Sequence, residues 1–310
     1  MNNEQEQGER CVGVEVTHAG LTSVCIDAGG NIIAVERADV DPRISSSQQI
    51  IAFINGLKGK FPHFSTVGIA IPGLIAAGGR TVTYSARIPE HSGLDLGTIV
   101  SAATGKSVIV ENDANAAGFG EFHLGAGRGA QDMFFATLGI GVGGTIIFGG
   151  RIWRGVTGFA GEFGYIPINS EGVRLEEVAS SANIIRRTRS RFQQDSTSSL
   201  VEIDEAQLSI SDIVSAAEAE DDFARLMLER TGHYVGTGVA SVINLLNIER
   251  IVIGGEIIGG QHIILESIID RARELSFAPS FASTVIAASE LGANAAAAGA
   301  ALLAREAEAK

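Results

Sequence analysis

Residues 133–150 run for 18 positions without a charge, and six of those positions are glycine. That length matches a membrane-spanning helix. Each glycine, however, costs a helix about 1 kcal/mol relative to alanine. The segment therefore reads as an apolar strand over 133–138, a glycine turn over 139–144 and a second strand over 145–148. It is a buried β-hairpin.

The same strand, turn, strand order occurs once before. Residues 12–16, 21–26 and 31–36 read as three short strands, separated by a turn near 18–20 and by Asp27-Ala28-Gly29-Gly30. Residues 133–138, 145–148 and 151–154 repeat that order with little residue identity, which points to two copies of one unit. Each copy is followed by helices alternating with buried strands. After the first come helix 47–58, strand 66–71 stopped by Pro72-Gly73, helix 96–103 and strand 107–110. After the second come helices 175–192, 210–219 and 223–246, strand 251–253, helix 263–275, strand 284–287 and an alanine-rich helix 294–309. The polar, serine-rich stretch 193–199 is expected to be a mobile surface loop. Two similar α/β lobes facing each other are expected.

Composition narrows the function. With 310 residues, 45% of them hydrophobic, the chain is long enough for two lobes. Its 23 basic and 36 acidic residues leave a net charge of −13, which repels nucleic acid and anionic membranes. Two cysteines, Cys11 and Cys25, exclude a disulfide framework and a cysteine-rich zinc module. Their symmetry about residue 18 would allow them to face each other across the first two strands, and they are expected to be free thiols packed like small hydrophobes. Residues 1–10 have neither the basic nor the apolar region of a signal peptide, so a cytoplasmic location is expected. The 39 glycines are retained where the chain turns tightly or must approach a ligand.

Gly139-Ile140-Gly141-Val142-Gly143-Gly144 contains the pattern G-x-G-x-x-G, with Glu162 near the distance of a ribose-binding acid. A dinucleotide fingerprint must open a helix, whereas Thr145-Ile146-Ile147-Phe148 is strand-forming. The turn is either an ordinary tight hairpin or a nest of backbone N–H groups that binds phosphate. Glu111-Asn112-Asp113-Ala114-Asn115 ends an apolar strand and opens a helix. An Asp there is either a helix cap or a ligand-facing carboxylate. A second polar cluster, Gly158 through Glu162 to Tyr165, sets an acid among glycines. Carboxylates and an amide converging on a cleft suit a polyol, because one carboxylate can accept hydrogen bonds from two neighbouring hydroxyls.

Together these segments, with Val67 through Gly73, Leu175-Glu176 through Ala179-Ser180, and Ile251 through Gly255, resemble the ROK (repressor, open reading frame, kinase) family over residues 11–305. The resemblance implies a two-lobed actin-like ATPase, ribonuclease H-like α/β fold with a cleft between the lobes. It places residues 1–113 and 295–310 in one lobe and 114–294 in the other. It also implies ATP- and Mg²⁺-dependent phosphorylation of a hexose or amino-sugar hydroxyl, as in glucokinase, by a homodimer. Asp113 would be the catalytic base, and Asn112, Glu162 and Glu176 would bind ring hydroxyls. Gly139, Ile140 and Gly141 would approach the ATP phosphates, with Gly254 and Gly255 on the nucleoside side.

Four positions depart from the family pattern. Glu15-Val16-Thr17-His18-Ala19 replaces Asp-x-Gly-Gly-Thr, so that Glu15 is left to organise Mg²⁺ through water, and Ile140 replaces a threonine. Tyr165 stands where a zinc-binding His is usual, and the following loop lacks cysteine, so no zinc is expected. Tyr165 either offers its hydroxyl to the sugar or packs. Arg87 replaces an Asn and is either a surface residue or a determinant of sugar preference, favouring an anionic group. Two functions follow: a sugar kinase, or a catalytically weak sugar-binding sensor whose phosphate loops have degenerated. A DNA-binding repressor is disfavoured by the charge and by the short segment before the first strand.

Overall fold

The computed structural model describes residues 10–61, 64–192, 197–204, 206–258 and 262–308. Its strands are β1 (Cys11–Val16), β2 (Gly20–Ile26), β3 (Ile32–Asp39), β4 (Thr66–Ile71), β5 (Leu74–Ile75), β6 (Val82–Tyr84), β7 (Ser107–Asn112), β8 (Met133–Leu138), β9 (Val142–Phe148), β10 (Arg151–Ile152), β11 (Arg250–Gly254) and β12 (Val285–Ala288). The helices are α1 (Ser46–Leu57), α2 (Leu96–Thr104), α3 (Asp113–Leu124), α4 (Glu176–Ala179), α5 (Ser181–Phe192), α6 (Ile210–Glu218), α7 (Asp222–Leu246), α8 (His262–Leu275), α9 (Ala278–Ala282) and α10 (Ala295–Glu308).

Two five-stranded sheets, ordered β3-β2-β1-β4-β7 and β10-β9-β8-β11-β12, share one topology. In each, the first three strands form an antiparallel meander. The first strand then pairs in parallel with the fourth, and the fourth with the fifth. The two copies of one unit expected from the sequence are therefore present. β4 is buried along its whole length, as its uninterrupted apolar and small residues require between two neighbouring strands.

The hairpin β8–β9 is as expected, but its turn is shorter. Leu138 pairs with Val142 and Ala136 with Gly144, leaving only Gly139-Ile140-Gly141 as the connection. Gly143 and Gly144 are strand residues. A Cβ on Gly143 would lie 3.0 Å from the Ala114 Cβ, and one on Gly144 would lie 2.9 Å from Phe134 Cζ. The expected helix 175–192 is split into α4 and α5 at Ser180, whose backbone is extended. That break lets the Ser181 N–H donate to the Gly139 carbonyl at 2.8 Å. Of the expected loop 193–199, residues 193–196 lie outside the described residues, while Ser198 caps a single 3₁₀ turn, Ser199–Glu202. The cysteines do not face each other. Cys11 pairs with Ile26 and Cys25 with Val12, so the two thiols are one residue out of register and point to opposite faces of the sheet. Both are free and buried.

One core lies between the sheets and contains α3 and α10, packed against Cys11, Val24 and Ala70 on one side and Met133, Phe135 and Val252 on the other. Here glycine is a packing residue. A Cβ on Gly13 would lie 1.8 Å from the Ala297 carbonyl oxygen, and one on Gly68 would lie 1.9 Å from that of Ala300, so α10 rests directly on the backbones of β1 and β4. The α3–α10 crossing is as close: a Cβ on Gly299 would come within 1.7 Å of the Ala116 carbonyl oxygen.

Alanine has the higher helix propensity by about 1 kcal/mol, yet Gly299→Ala is expected to destabilise by about 2–3 kcal/mol because two backbones must separate. Gly56→Ala, in α1 with open space around it, is expected to stabilise by up to about 1 kcal/mol. Urea unfolding of the two variants measures both signs.

Candidate active site

A cleft of about 1700 Å³ is lined by residues from the carboxyl ends of the central strands of both sheets. On one wall β7 ends at Asn112, which caps α3 by accepting the Asn115 N–H at 3.0 Å, so that Asp113 becomes the first helical residue. Both Asn112 Nδ2 donors are in use, to the Gly73 carbonyl and to Asp113 Oδ1, each at 3.0 Å. Asp113 Oδ1 also accepts the Ala114 N–H at 3.0 Å. These hydrogen bonds, and the charge of Arg87, favour the ionised carboxylate, but burial outweighs them and raises the Asp113 pKa above the usual carboxylate range.

The opposite wall supplies Glu162, Tyr165 and Glu176. Burial and the nearby charges of Glu176 and Asp113 raise the Glu162 pKa. Glu176 opens α4, and its Oε2 accepts the Val142 N–H at 2.9 Å, tying the acid to the start of β9. Tyr165 is 59% exposed, and the Arg174 guanidinium lies 4.5 Å above its ring. Glu111, just before the capping residue, is buried. Its Oε1 accepts the Asn112 N–H at 2.9 Å and Asn115 Nδ2 at 3.1 Å, and its Oε2 pairs with Arg154 at 2.5 Å. That ion pair joins the end of β7 to the segment after β10.

The two glycine-turn regions differ. The first loop is closed on itself: Thr17 Oγ1 accepts the N–H groups of Ala19 at 3.3 Å and Gly20 at 3.0 Å. In the second, the N–H groups of Ile140 and Gly141 make no hydrogen bond among the described residues. Ile140 stands exposed at its tip. Glu256, from the segment after β11, packs against this turn, since a Cβ on Gly139 would lie 3.6 Å from Glu256 Cγ; its carboxylate accepts the Ser181 hydroxyl.

The structure thus brings Glu15, Asn112, Asp113, Gly139, Ile140, Gly141, Glu162, Tyr165, Glu176 and Gly255 to one cleft. Gly254 does not line it; this residue ends β11, and a Cβ there would meet the Phe135 ring at 2.9 Å. Gly255, at φ +96°, holds a conformation that side chains disfavour, against the Leu138 backbone. Arg87, left open between two roles above, also enters the cleft: its Nη2 lies 2.3 Å, and Glu176 Oε2 3.0 Å, from where a Gly141 Cβ would stand. Glu256 carries no sign in the sequence beyond following Gly254-Gly255, and the counterion of Glu111, Arg154, lies 43 residues along the chain. No group of three His, Cys, Asp or Glu side chains is arranged to hold a metal among the described residues. No helix there is long and apolar enough to cross a membrane.

Residues 11–307 match the sequence pattern of the ROK family. The chain belongs to the ROK family. It is 35% identical over 239 residues to the glucokinase of Halalkalibacterium halodurans, covering 73% of this chain and 69% of that one. Its structure superposes, with a TM-score of 0.85 and 27% identity, on a ROK family glucokinase from Streptomyces griseus in complex with glucose and AMPPNP, covering 96% of this chain and 99% of that one. It is also similar, at a TM-score of 0.84 and 28% identity, to a ROK family transcriptional regulator homologous to the E. coli MLC protein, covering 96% of this chain and 78% of that one. The fold is the two-lobed actin-like ATPase fold of ROK sugar kinases.

Within this ROK cleft Glu15, on the first sheet, is also strongly perturbed. Burial, then the charge of Asp113, push its pKa from 4.5 to about 7, against an opposing effect of Arg37. A carboxyl whose folded pKa exceeds its unfolded one binds its proton more tightly when folded, so stability is lost as pH rises through that interval. Between pH 5 and 8 Glu15 alone is expected to lower the unfolding free energy by about 2–3 kcal/mol. Glu15→Gln should flatten that dependence in urea titrations at the two pH values; an unchanged slope would assign the effect elsewhere.

Proposed function

We propose that this ROK protein is an ATP-dependent sugar kinase that phosphorylates a hydroxyl of a hexose or amino sugar, with Asp113 as the base. The observation that carries the reading is the Asp113 carboxylate itself. It is anchored through Oδ1, raised in pKa by burial, and set in one cleft with Glu162 and Glu176. A carboxylate with a raised pKa is better matched to accepting a hydroxyl proton than an ordinary one. The likeness to two glucokinases supports the same reading.

In this mechanism Glu162 and Glu176 orient the acceptor by accepting hydrogen bonds from ring hydroxyls, and the Tyr165 hydroxyl is available beside them. Asn112, with both donors committed, acts mainly by positioning Asp113. ATP with Mg²⁺ supplies the phosphoryl group. The free N–H groups of Ile140 and Gly141 suit phosphate oxygens, and Glu15 would hold the metal through water. We take residues 1–113 with 295–310 as one lobe and 114–294 as the other. The protein is proposed to act as a cytoplasmic homodimer.

A second reading, a sugar-binding sensor with weak chemistry, is favoured by two observations on the phosphate side. Thr17 consumes amides of the first loop, and the Glu256 carboxylate stands beside the second.

ADP release across a panel of hexoses and amino sugars tests the proposal. Asp113→Asn is expected to lower kcat by about 10²- to 10⁴-fold while sugar still raises the melting temperature. Turnover no greater than that of Asp113→Asn, together with sugar-induced stabilisation, would overturn the kinase in favour of the sensor.

A further inference from the structure

Beside the main cleft lies a second cavity of about 330 Å³, and the two share Thr17, His18 and Arg87 as a common wall. Its remaining walls are mainly apolar, with Val40, Ile44 and Ile88 among them. The polar side chains there are largely committed to the protein. Gln49 Oε1 accepts the Asp41 N–H at 2.7 Å, and its Nε2 donates to the Asp41 and Ile44 carbonyls at 3.0 and 2.8 Å. Glu90 Oε1 accepts the Ser46 N–H at 2.8 Å.

Arg87 is not so committed. Although Glu15, Asp113, Glu162 and Glu176 all line the cleft with it, Arg87 forms no ion pair or hydrogen bond with any described residue. Its loop is pinned from beneath: Ser85 Oγ donates to the Pro72 carbonyl at 2.6 Å and accepts the Ile88 N–H at 3.1 Å, and the Ser85 N–H donates to Ser92 Oγ at 2.9 Å. The guanidinium is thus presented between Gly141, in the turn read as approaching phosphate, and Glu176, read as holding a sugar hydroxyl. Five donors and no acceptor, held in a planar fork, match a carboxylate or another oxyanion.

We propose that Arg87 recognises an anionic group on the acceptor sugar, and that the side cavity seats the substituent that bears it. The inference rests on reading this cleft as a sugar site and narrows the substrate class to acidic sugars.

Calorimetric titration without nucleotide tests it, with glucose against glucuronate and N-acetylglucosamine against its 3-O-lactyl ether. In the wild type at least one acidic sugar is expected to bind about tenfold tighter than its neutral parent. In Arg87→Asn that ratio should fall to near one, and Arg87→Lys should keep part of it, since it retains the charge without the fork. A ratio near one in the wild type for both pairs, or one unchanged in Arg87→Asn, overturns the proposal. If Arg87→Asn instead lowers kcat equally for neutral and acidic acceptors, with binding ratios near one throughout, the arginine serves the transferred phosphoryl group and the proposal fails. Arg87-dependent binding of an acidic sugar without ADP release would leave the inference standing and remove the kinase reading.

Discussion

The contact on which the molecule depends is one from which side chains are excluded. The carbonyls of Ala297 and Ala300 occupy the space where Gly13 and Gly68 would carry Cβ atoms, so α10 lies on the backbones of β1 and β4. The same helix then meets α3 at Gly299, where a Cβ would lie 1.7 Å from the Ala116 carbonyl oxygen, and at Gly120, where one would lie 2.5 Å from that of Ala295. Dispersion is strongest where atoms approach without gaps, and here backbone is packed directly on backbone. Through α10, α3 is thereby held against the first sheet. Because Asp113 is the first residue of α3, its position in the cleft is inherited from that packing rather than set by local turns.

That inheritance bears on the electrostatics. Asp113 starts a helix, where the macrodipole favours a negative charge, but the body that holds it also buries it, and burial prevails. Asp113 in turn raises the pKa of Glu15 from the first sheet and of Glu162 from across the cleft. Three carboxyls on different elements therefore share one acid-rich space. Glu111, two residues before Asp113, is paired with Arg154. Protons held at the cleft, hydroxyls that donate to it, or a cation would each relieve the remaining repulsion, and a polyol acceptor brings the second of these.

Periodicity and composition made much of the framework legible. The β8–β9 hairpin followed from uncharged, glycine-broken sequence, β4 from an uninterrupted apolar run, and the duplicated meander from repeated order. The readings that failed depended on contacts distant in sequence. β9 starts at Val142 and includes Gly143 and Gly144, which are glycine because Ala114 and Phe134 press on them, contacts that no local pattern reveals. The cysteines miss each other by one residue of register, which in a strand reverses the face. Glycines taken as marks of ligand approach proved divided, with Gly139, Gly141 and Gly255 at the cleft and Gly13, Gly68 and Gly299 in the core. In the site, the strand-end acids were legible from their position and Arg87 only as a loop cation with two open roles, while Glu256 was not legible, because a single charged residue in a loop carries no sign of which way it faces.

The unequal condition of the two loops follows from one side chain. A threonine hydroxyl at Thr17 can satisfy its own turn, and it does so by accepting from Ala19 and Gly20 while donating to the Gly20 carbonyl at 3.0 Å. An anion arriving there would have to displace bonds already made, at a cost comparable to the hydrogen bonds it gains. The Gly139-Ile140-Gly141 turn has no such hydroxyl, and its Ile140 and Gly141 amides stay open, but Glu256 sets a carboxylate beside it. A phosphate chain would thus meet one loop that must be opened and one that must tolerate a like charge. On the proposed sugar side Asp113, Glu162 and Glu176 already line one cleft, so under that reading these two loops are where a working kinase and a sugar-binding relative would differ.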